Sequence, residues 1–277
     1  SVEVRGIIGS HHHPQGFYGY PGTAEHAVNL ANQLLEVMQL KGSIPVLQGA
    51  SRPLADTRTP VPTEAVRFII REAMREDVKT PLYLVCGAGL TDAASAWLTQ
   101  PEIAGKLRLI WIGGPEYPGT PPPPGAPRVE YNLSIDIHAA QVVFHDSTLP
   151  LWQVPRPTYR QALVSHAGLA QRMRPKEHPL ARFLIGRLDD LMKRAHGSLG
   201  EAYVLGDSPL VLLTALQSSW EVDPSSSKFI QMAAPRIDDH GECANHPQGR
   251  SIRVCTRIDT RLMFEDFYAK IASSPTD

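Results

Sequence analysis

The chain has 277 residues, 42% of them hydrophobic, and a formal net charge of -1 at pH 7. That length accommodates one large α/β domain with a full core, and no shift in composition divides it. The near-neutral charge argues against nucleic acid or an anionic membrane as the main partner, and no apolar run is long enough to span a bilayer. Three cysteines are too few for a disulfide framework. Cys86 reads as a small core residue, and one Cys243–Cys255 bridge is compatible with the sequence. No signal-peptide pattern opens the chain.

In chain order, Val2–Ile8 reads as a core strand, placed so abruptly that a segment upstream of it is expected. It runs into Gly9-Ser10-His11-His12-His13-Pro14, a polar loop whose imidazoles are candidates for acid, base or ligand roles. Thr23 to Leu40 is helical, with Thr23 as a cap, and Ile44–Leu47 is a short strand. Thr63 to Arg75 is an amphipathic helix. The stretch Pro81–Gly114 organises the rest. Pro81–Cys86 is an apolar run without alternation, as in a strand buried on both faces. Gly87, Gly89 and Thr91 form a turn, Asp92–Leu98 is a helix, and Leu107–Ile112 is a second buried strand. Strand, turn, helix and strand make a βαβ unit and hence a parallel sheet. In such sheets the ligand crevice lies beyond the carboxyl ends of the strands, which places loops Gly87–Thr91 and Gly113–Gly119 on one rim.

The proline-dense segment Tyr117–Pro127 is a stiff surface loop. Asp136 is a helix cap for Ile137–Phe144, and Glu130 and Asn132 precede it, as site residues or as a local capping network. A strand is expected over Leu149–Val154 and helices over Arg160–Met173 and Pro179–His196. Gly206-Asp207-Ser208-Pro209 opens an apolar, buried helix Leu210–Gln217, with Asp207 as its N-terminal carboxylate. Strands over Phe229–Met232 and Arg250–Cys255 and a helix over Arg261–Ile271 complete the pattern. Trp111, inside a strand, reads as core; Trp152 and Trp220 fit core or pocket.

Several segments then converge. Ile44–Leu54 (IPVLQGASRPL), Cys86–Ala94 (CGAGLTDAA), Pro101–Gly114 (PEIAGKLRLIWIGG), Glu130–Phe144 (EYNLSIDIHAAQVVF) and Gly206–Val211 (GDSPLV) together resemble the nucleoside hydrolase family. The resemblance is carried by the order of the segments. It implies an α/β fold over residues 1–277, one domain with a mainly parallel central sheet flanked by helices. It also implies a bound Ca²⁺ and hydrolysis of the N-glycosidic bond of a ribonucleoside or related glycosyl compound. By the same resemblance, Thr91 supplies a backbone carbonyl to calcium, Asp207 ligates calcium and touches ribose hydroxyls, and Glu130 and Asn132 bind ribose. A hard cation with carboxylate, carbonyl and water ligands, set beside a hydroxyl-rich sugar, suits those residue types. The partner is then a small molecule, with homo-oligomerisation left open.

The departures are as informative. The family opens with a strand and an aspartate cluster (D-x-D-x-x-x-D-D) that supplies most calcium ligands and the base; no such cluster occurs here. The first strand here resembles the family's second, so a βα unit upstream of residue 1 is expected to be missing, and this chain alone to bind metal weakly and not hydrolyse. Gly206 stands where many members have a histidine acid, His13 where they have an asparagine, and Thr120 matches a further asparagine that meets the sugar. His11, His12 and His13 are therefore candidates to replace the lost acid. Two other readings compete. The cluster Asp238, Asp239, His240, Glu242, Cys243 and His246 offers zinc-type ligands. Alternatively, a pocket of this type holds a sugar or nucleoside without cutting it.

Overall fold

The computed structural model describes residues 2–16, 18, 22–80, 82–117, 119–174, 176–194, 201–216 and 227–275. It begins with β1 (Ile7–Gly9), α1 (Thr23–Val37), β2 (Val46–Gln48) and α2 (Glu64–Ala73). The expected βαβ unit follows as β3 (Leu82–Cys86), α3 (Thr91–Thr99) and β4 (Leu107–Ile112). Next come α4 (Tyr131–Ile135), α5 (Ile137–Gln141), β5 (Leu151–Val154), α6 (Arg156–Tyr159), β6 (Leu163–Ser165), α7 (His166–Met173) and α8 (Pro179–Arg194). The chain closes with β7 (Ala202–Val204), α9 (Pro209–Ala215), β8 (Lys228–Ala233), β9 (Arg236–Ile237), β10 (Cys243–Ala244), β11 (Ser251–Arg257) and α10 (Thr260–Ala272).

The central sheet has the order β3-β4-β5-β11-β8. β3, β4, β5 and β11 run parallel, and β8 is antiparallel on β11. β1 and β2 form a separate parallel pair. Strand β4 shows why the sheet is sandwiched. Leu107, Leu109 and Trp111 pack with residues of α2, α3 and α5 on one face. Ile110 and Ile112 pack with Leu212 and Leu213 of α9 and Met263 of α10 on the other. Both faces are apolar, so the strand reads as a continuous hydrophobic run. Trp111 is fully buried, and its indole donates to the Ala88 carbonyl at 2.8 Å. Trp152 is buried in the second cluster; Trp220 lies outside the described residues.

Several expectations need correction. Val2 and Val4 are exposed, and only Ile7–Gly9 is strand, because only this stretch meets a partner in β2. β3 is half-buried, with Val85 43% exposed, because it is the last strand of its sheet. Thr23 is not a cap: Gly22 holds that position, and the Thr23 hydroxyl accepts the His12 amide at 3.0 Å. The helix expected over Arg160–Met173 is interrupted by β6, which pairs antiparallel with β7, and Ser165 caps α7 by accepting from Gly168. The face of α9 is not wholly buried, since Val211 is exposed. All three cysteines are free.

Candidate active site

The rim beyond the carboxyl ends of β3 and β4 is tied together by Asn132. Its side-chain amide donates to the Ile112 carbonyl at 2.8 Å and the Gly87 carbonyl at 3.3 Å, bridging the ends of both strands. Its amide oxygen remains available as an acceptor. Two residues earlier, Glu130 caps α4. One carboxylate oxygen accepts from the Leu133 amide at 3.1 Å and the Gly114 amide at 2.9 Å, and the other from the Tyr159 hydroxyl at 3.0 Å. Glu130 is thus part of a local capping network, and it is also buried on the rim. Burial raises its pKa, against the lowering effect of its backbone donors.

Asp207 reaches the same place from the loop before α9. Ser208, not Asp207, is the cap of that helix, and no described residue donates to the Asp207 carboxylate. The carboxylate lies against Gly87, where an added Cβ would sit 3.0 Å from it. Asp207 keeps contact with solvent, yet the crowding of protein atoms, and secondarily Glu130, pushes its carboxyl up to about 6. Gly87, at the end of β3, is a site residue the sequence reading missed. The glycine in CGAGL is visible, but its closeness to Asp207 comes only from the fold. Tyr159 was missed too. It binds Glu130, and its ring lies 3.2 Å from where a Gly206 side chain would begin.

Thr91 sits in a second, buried cluster. Its hydroxyl donates to Asp136 at 2.6 Å and contacts His11 Nε2 at 2.9 Å. A hydroxyl has one proton, so the imidazole nitrogen is the donor to Thr91. Asp136 also accepts from the amides of Leu54 and Ala139, both at 2.9 Å. Beside it, Asp92 accepts from the Ala50 amide at 2.9 Å and the Ser10 hydroxyl at 3.3 Å. Burial raises the pKa of both aspartates. As the first residue of α3, Thr91 has its carbonyl aligned with the helix ladder.

The histidines divide. His11 is buried in this cluster. His12 stacks edge-on to Tyr18, with ring centroids 5.3 Å apart, and its pKa is lowered by burial and then by His26 and His11. His13 lies 6.2 Å from the Tyr131 ring, next to Glu130 and Asn132 in sequence. Its Nδ1 accepts the Gln15 amide at 3.1 Å. Thr120 is exposed in the proline-rich loop, where its amide bonds to the Tyr117 carbonyl.

The zinc reading is not favoured. Residues 236–244 form the β9–β10 hairpin. Asp238 accepts from the amides of His240 and Glu242, Asp239 from Gln141, and Glu242 pairs with Arg128. Burial pushes the Cys243 thiol up to about 12. Among the described residues no group of three or more His, Cys, Asp or Glu side chains is placed to hold a metal.

Comparison with known proteins places these features. The sequence profile of the family described as "Inosine-uridine preferring nucleoside hydrolase" matches residues 18–265. An inosine-uridine preferring nucleoside hydrolase of Leishmania major is 30% identical over 221 residues, covering 75% of this chain and 63% of that protein. The chain thus spans just under two thirds of this relative. Among solved structures, a purine-preferring ribonucleoside hydrolase from Gardnerella vaginalis superposes with a TM-score of 0.65 at 17% identity, covering 98% of this chain and 90% of the other. The inosine-uridine preferring nucleoside hydrolase of Bacillus anthracis gives 0.63 at 15% identity, covering 99% and 92%. The structural likeness establishes the fold, the profile spans most of the chain, and the chain belongs to the inosine-uridine preferring nucleoside hydrolase family.

Proposed function

We propose that the site hydrolyses the N-glycosidic bond of a ribonucleoside or related ribosyl compound, with the sugar held between Glu130, Asn132 and Asp207. One observation carries this reading: the Asp207 carboxylate, free of capping duty, faces Gly87 beside the Asn132 bridge at the strand ends. Asn132 offers its amide oxygen to a sugar hydroxyl. Of the two Glu130 oxygens, one takes the Gly114 and Leu133 amides, and the other, which takes the Tyr159 hydroxyl, can also accept from the sugar. Ionised Asp207 accepts from hydroxyls and stabilises the positive charge that grows on the sugar as the base departs. Thr120 would meet the sugar from the loop. His13, whose Nδ1 accepts the Gln15 amide, has Nε2 left to meet the leaving base, and acting as its acid requires the doubly protonated ring, which gives up the Gln15 bond.

Calcium takes about six to eight oxygen ligands. The described residues at this rim offer the Asp207 carboxylate beside Gly87, while the Thr91 hydroxyl is engaged by Asp136 and its carbonyl is aligned with the α3 ladder. That set does not complete a calcium site, so the roles above belong to the chain's own side chains. The small number of free carboxylates also favours a second reading, a pocket that binds the sugar without cutting it.

The test is to incubate the protein with purine and pyrimidine ribonucleosides, with calcium or with chelator, and follow release of free base while titrating ribose. Base release that falls on the order of 10²-fold in Asp207→Asn supports the hydrolase. Ribose binding without release supports the second reading, and neither binding nor release overturns both. An unchanged rate in His13→Ala removes His13 as the acid.

A further inference from the structure

A second cluster borders the site. Tyr18 is its hub. Its ring lies 5.3 Å from that of His12 and 4.7 Å from that of His26, and the Arg194 guanidinium stands 5.2 Å from its centroid. Tyr18 also lies close enough to Tyr131 and Tyr203 to influence them, and Tyr203 in turn feels Asp207. The histidine loop joins the cluster to the rim: His12 packs on Tyr18, and His13, the next residue, lies 6.2 Å from the ring of Tyr131, between Glu130 and Asn132 in sequence. His26 projects from α1, while Arg187 and Arg194 belong to α8, which packs on α1.

Its charge is one-sided. Burial, then the guanidiniums of Arg194 and Arg187, hold the His26 pKa below its ordinary value. His26 Nε2 is buried without a hydrogen-bond partner. Arg187 pairs with Asp190 at 2.6 Å, but among the described residues no carboxylate forms a salt bridge with Arg194. The last turn of α8 also carries Lys193, so part of this charge complements the helix dipole. That role does not explain a buried imidazole nitrogen lacking a partner, since such groups are normally satisfied.

We propose that this cluster receives an anionic group, so that the favoured ligand is a phosphorylated ribosyl compound. The inference rests on the ribose reading above. Arg194 supplies charge and planar donors suited to phosphate oxygens, His26 supplies the unpartnered nitrogen, and Tyr18 packs between them.

The experiment titrates the full chain with ribose and with ribose 5-phosphate by calorimetry, at low and at physiological salt. We expect ribose 5-phosphate to bind at least about tenfold more tightly at low salt, with the advantage shrinking as salt screens it. Arg194→Gln, at an exposed helix end, should bring ribose 5-phosphate down to the level of ribose and leave ribose unchanged. His26→Gln should remove part of the preference, with thermal melts checking that both variants fold. Equal binding of the two sugars by the unaltered protein overturns the inference and leaves the ribose reading intact. So does a preference that survives Arg194→Gln. If neither sugar binds, the ribose reading falls and this inference with it.

Discussion

Thr91 has one hydroxyl proton and gives it to Asp136, so its bond to His11 depends on a proton from the imidazole. Thr91→Val keeps the shape but leaves a buried carboxylate and a buried ring nitrogen each short of a partner. The expected cost is about 1–3 kcal/mol, read from urea unfolding; no loss would show that the contacts are idle. Asp207 allows a test of sign. Its folded pKa, about 6, lies above the ordinary 3.8, so the native state holds a proton that the unfolded chain has already released. Stability attributable to Asp207 is therefore greatest below pH 4 and falls as the pH rises to about 6. Melting temperatures of the protein and of Asp207→Asn, compared between pH 4 and pH 7, should converge or cross in that direction. A difference that stays constant with pH would contradict it. Asp207, Glu130 and Asn132 could be singled out in the sequence as candidates because each stands in a recognisable run of residues. Gly87 and Tyr159 were not, because their importance depends on what distant segments bring against them.

At the scale of elements, the proline-rich loop is held at both ends by one side chain. Arg156 donates through two nitrogens to Glu116, at 2.6 and 2.7 Å, and through a third to the Pro127 carbonyl at 2.9 Å. Burial alone would raise the Glu116 pKa, yet the guanidinium holds it below its ordinary value. Both side chains are less than a tenth exposed. Arg156→Met should cost about 3–5 kcal/mol, because it strands a buried carboxylate. The double change Arg156→Met with Glu116→Leu should recover much of that; if it recovers none, the pair is not the clamp. The loop itself was readable from its prolines, but the clamp was not, since Arg156 lies in an unremarkable stretch after β5. Helix starts were readable where the cap is local: Asp136 caps α5 by accepting the Ala139 amide at 2.9 Å, as expected, whereas Thr63, read as the first residue of a helix, is the cap of α2 and accepts from Val66 at 3.0 Å. Thr63→Ala should cost about 1 kcal/mol by the same unfolding measurement. The scheme failed at Thr23, whose hydroxyl is taken by the histidine loop. It failed again at Leu163–Ser165, where pairing with β7 overrides helical spacing.

At the scale of the molecule, the parallel sheet was legible because β4 is apolar on both faces and a helix separates it from β3. The position of β3 at the end of that sheet was not legible, since its sequence reads like that of a central strand. One edge of β3 is paired with β4, and the other has no strand partner among the described residues. An apolar edge of this kind is a template for pairing with another strand. Val85→Lys should reduce concentration-dependent scattering of the chain without lowering its melting temperature, and unchanged scattering would show that the edge is not the point of contact. The same geometry makes protection against hydrogen exchange asymmetric. Amides of β4, bonded within the sheet and buried on both faces, should exchange only through large openings, while the outward amides of β3 exchange through local ones. The Gly87 end of the site is thus attached to an edge strand of the sheet, and a ligand that bridges Gly87 and Asp207 should slow exchange in β3 before it affects the interior strands β4 and β5.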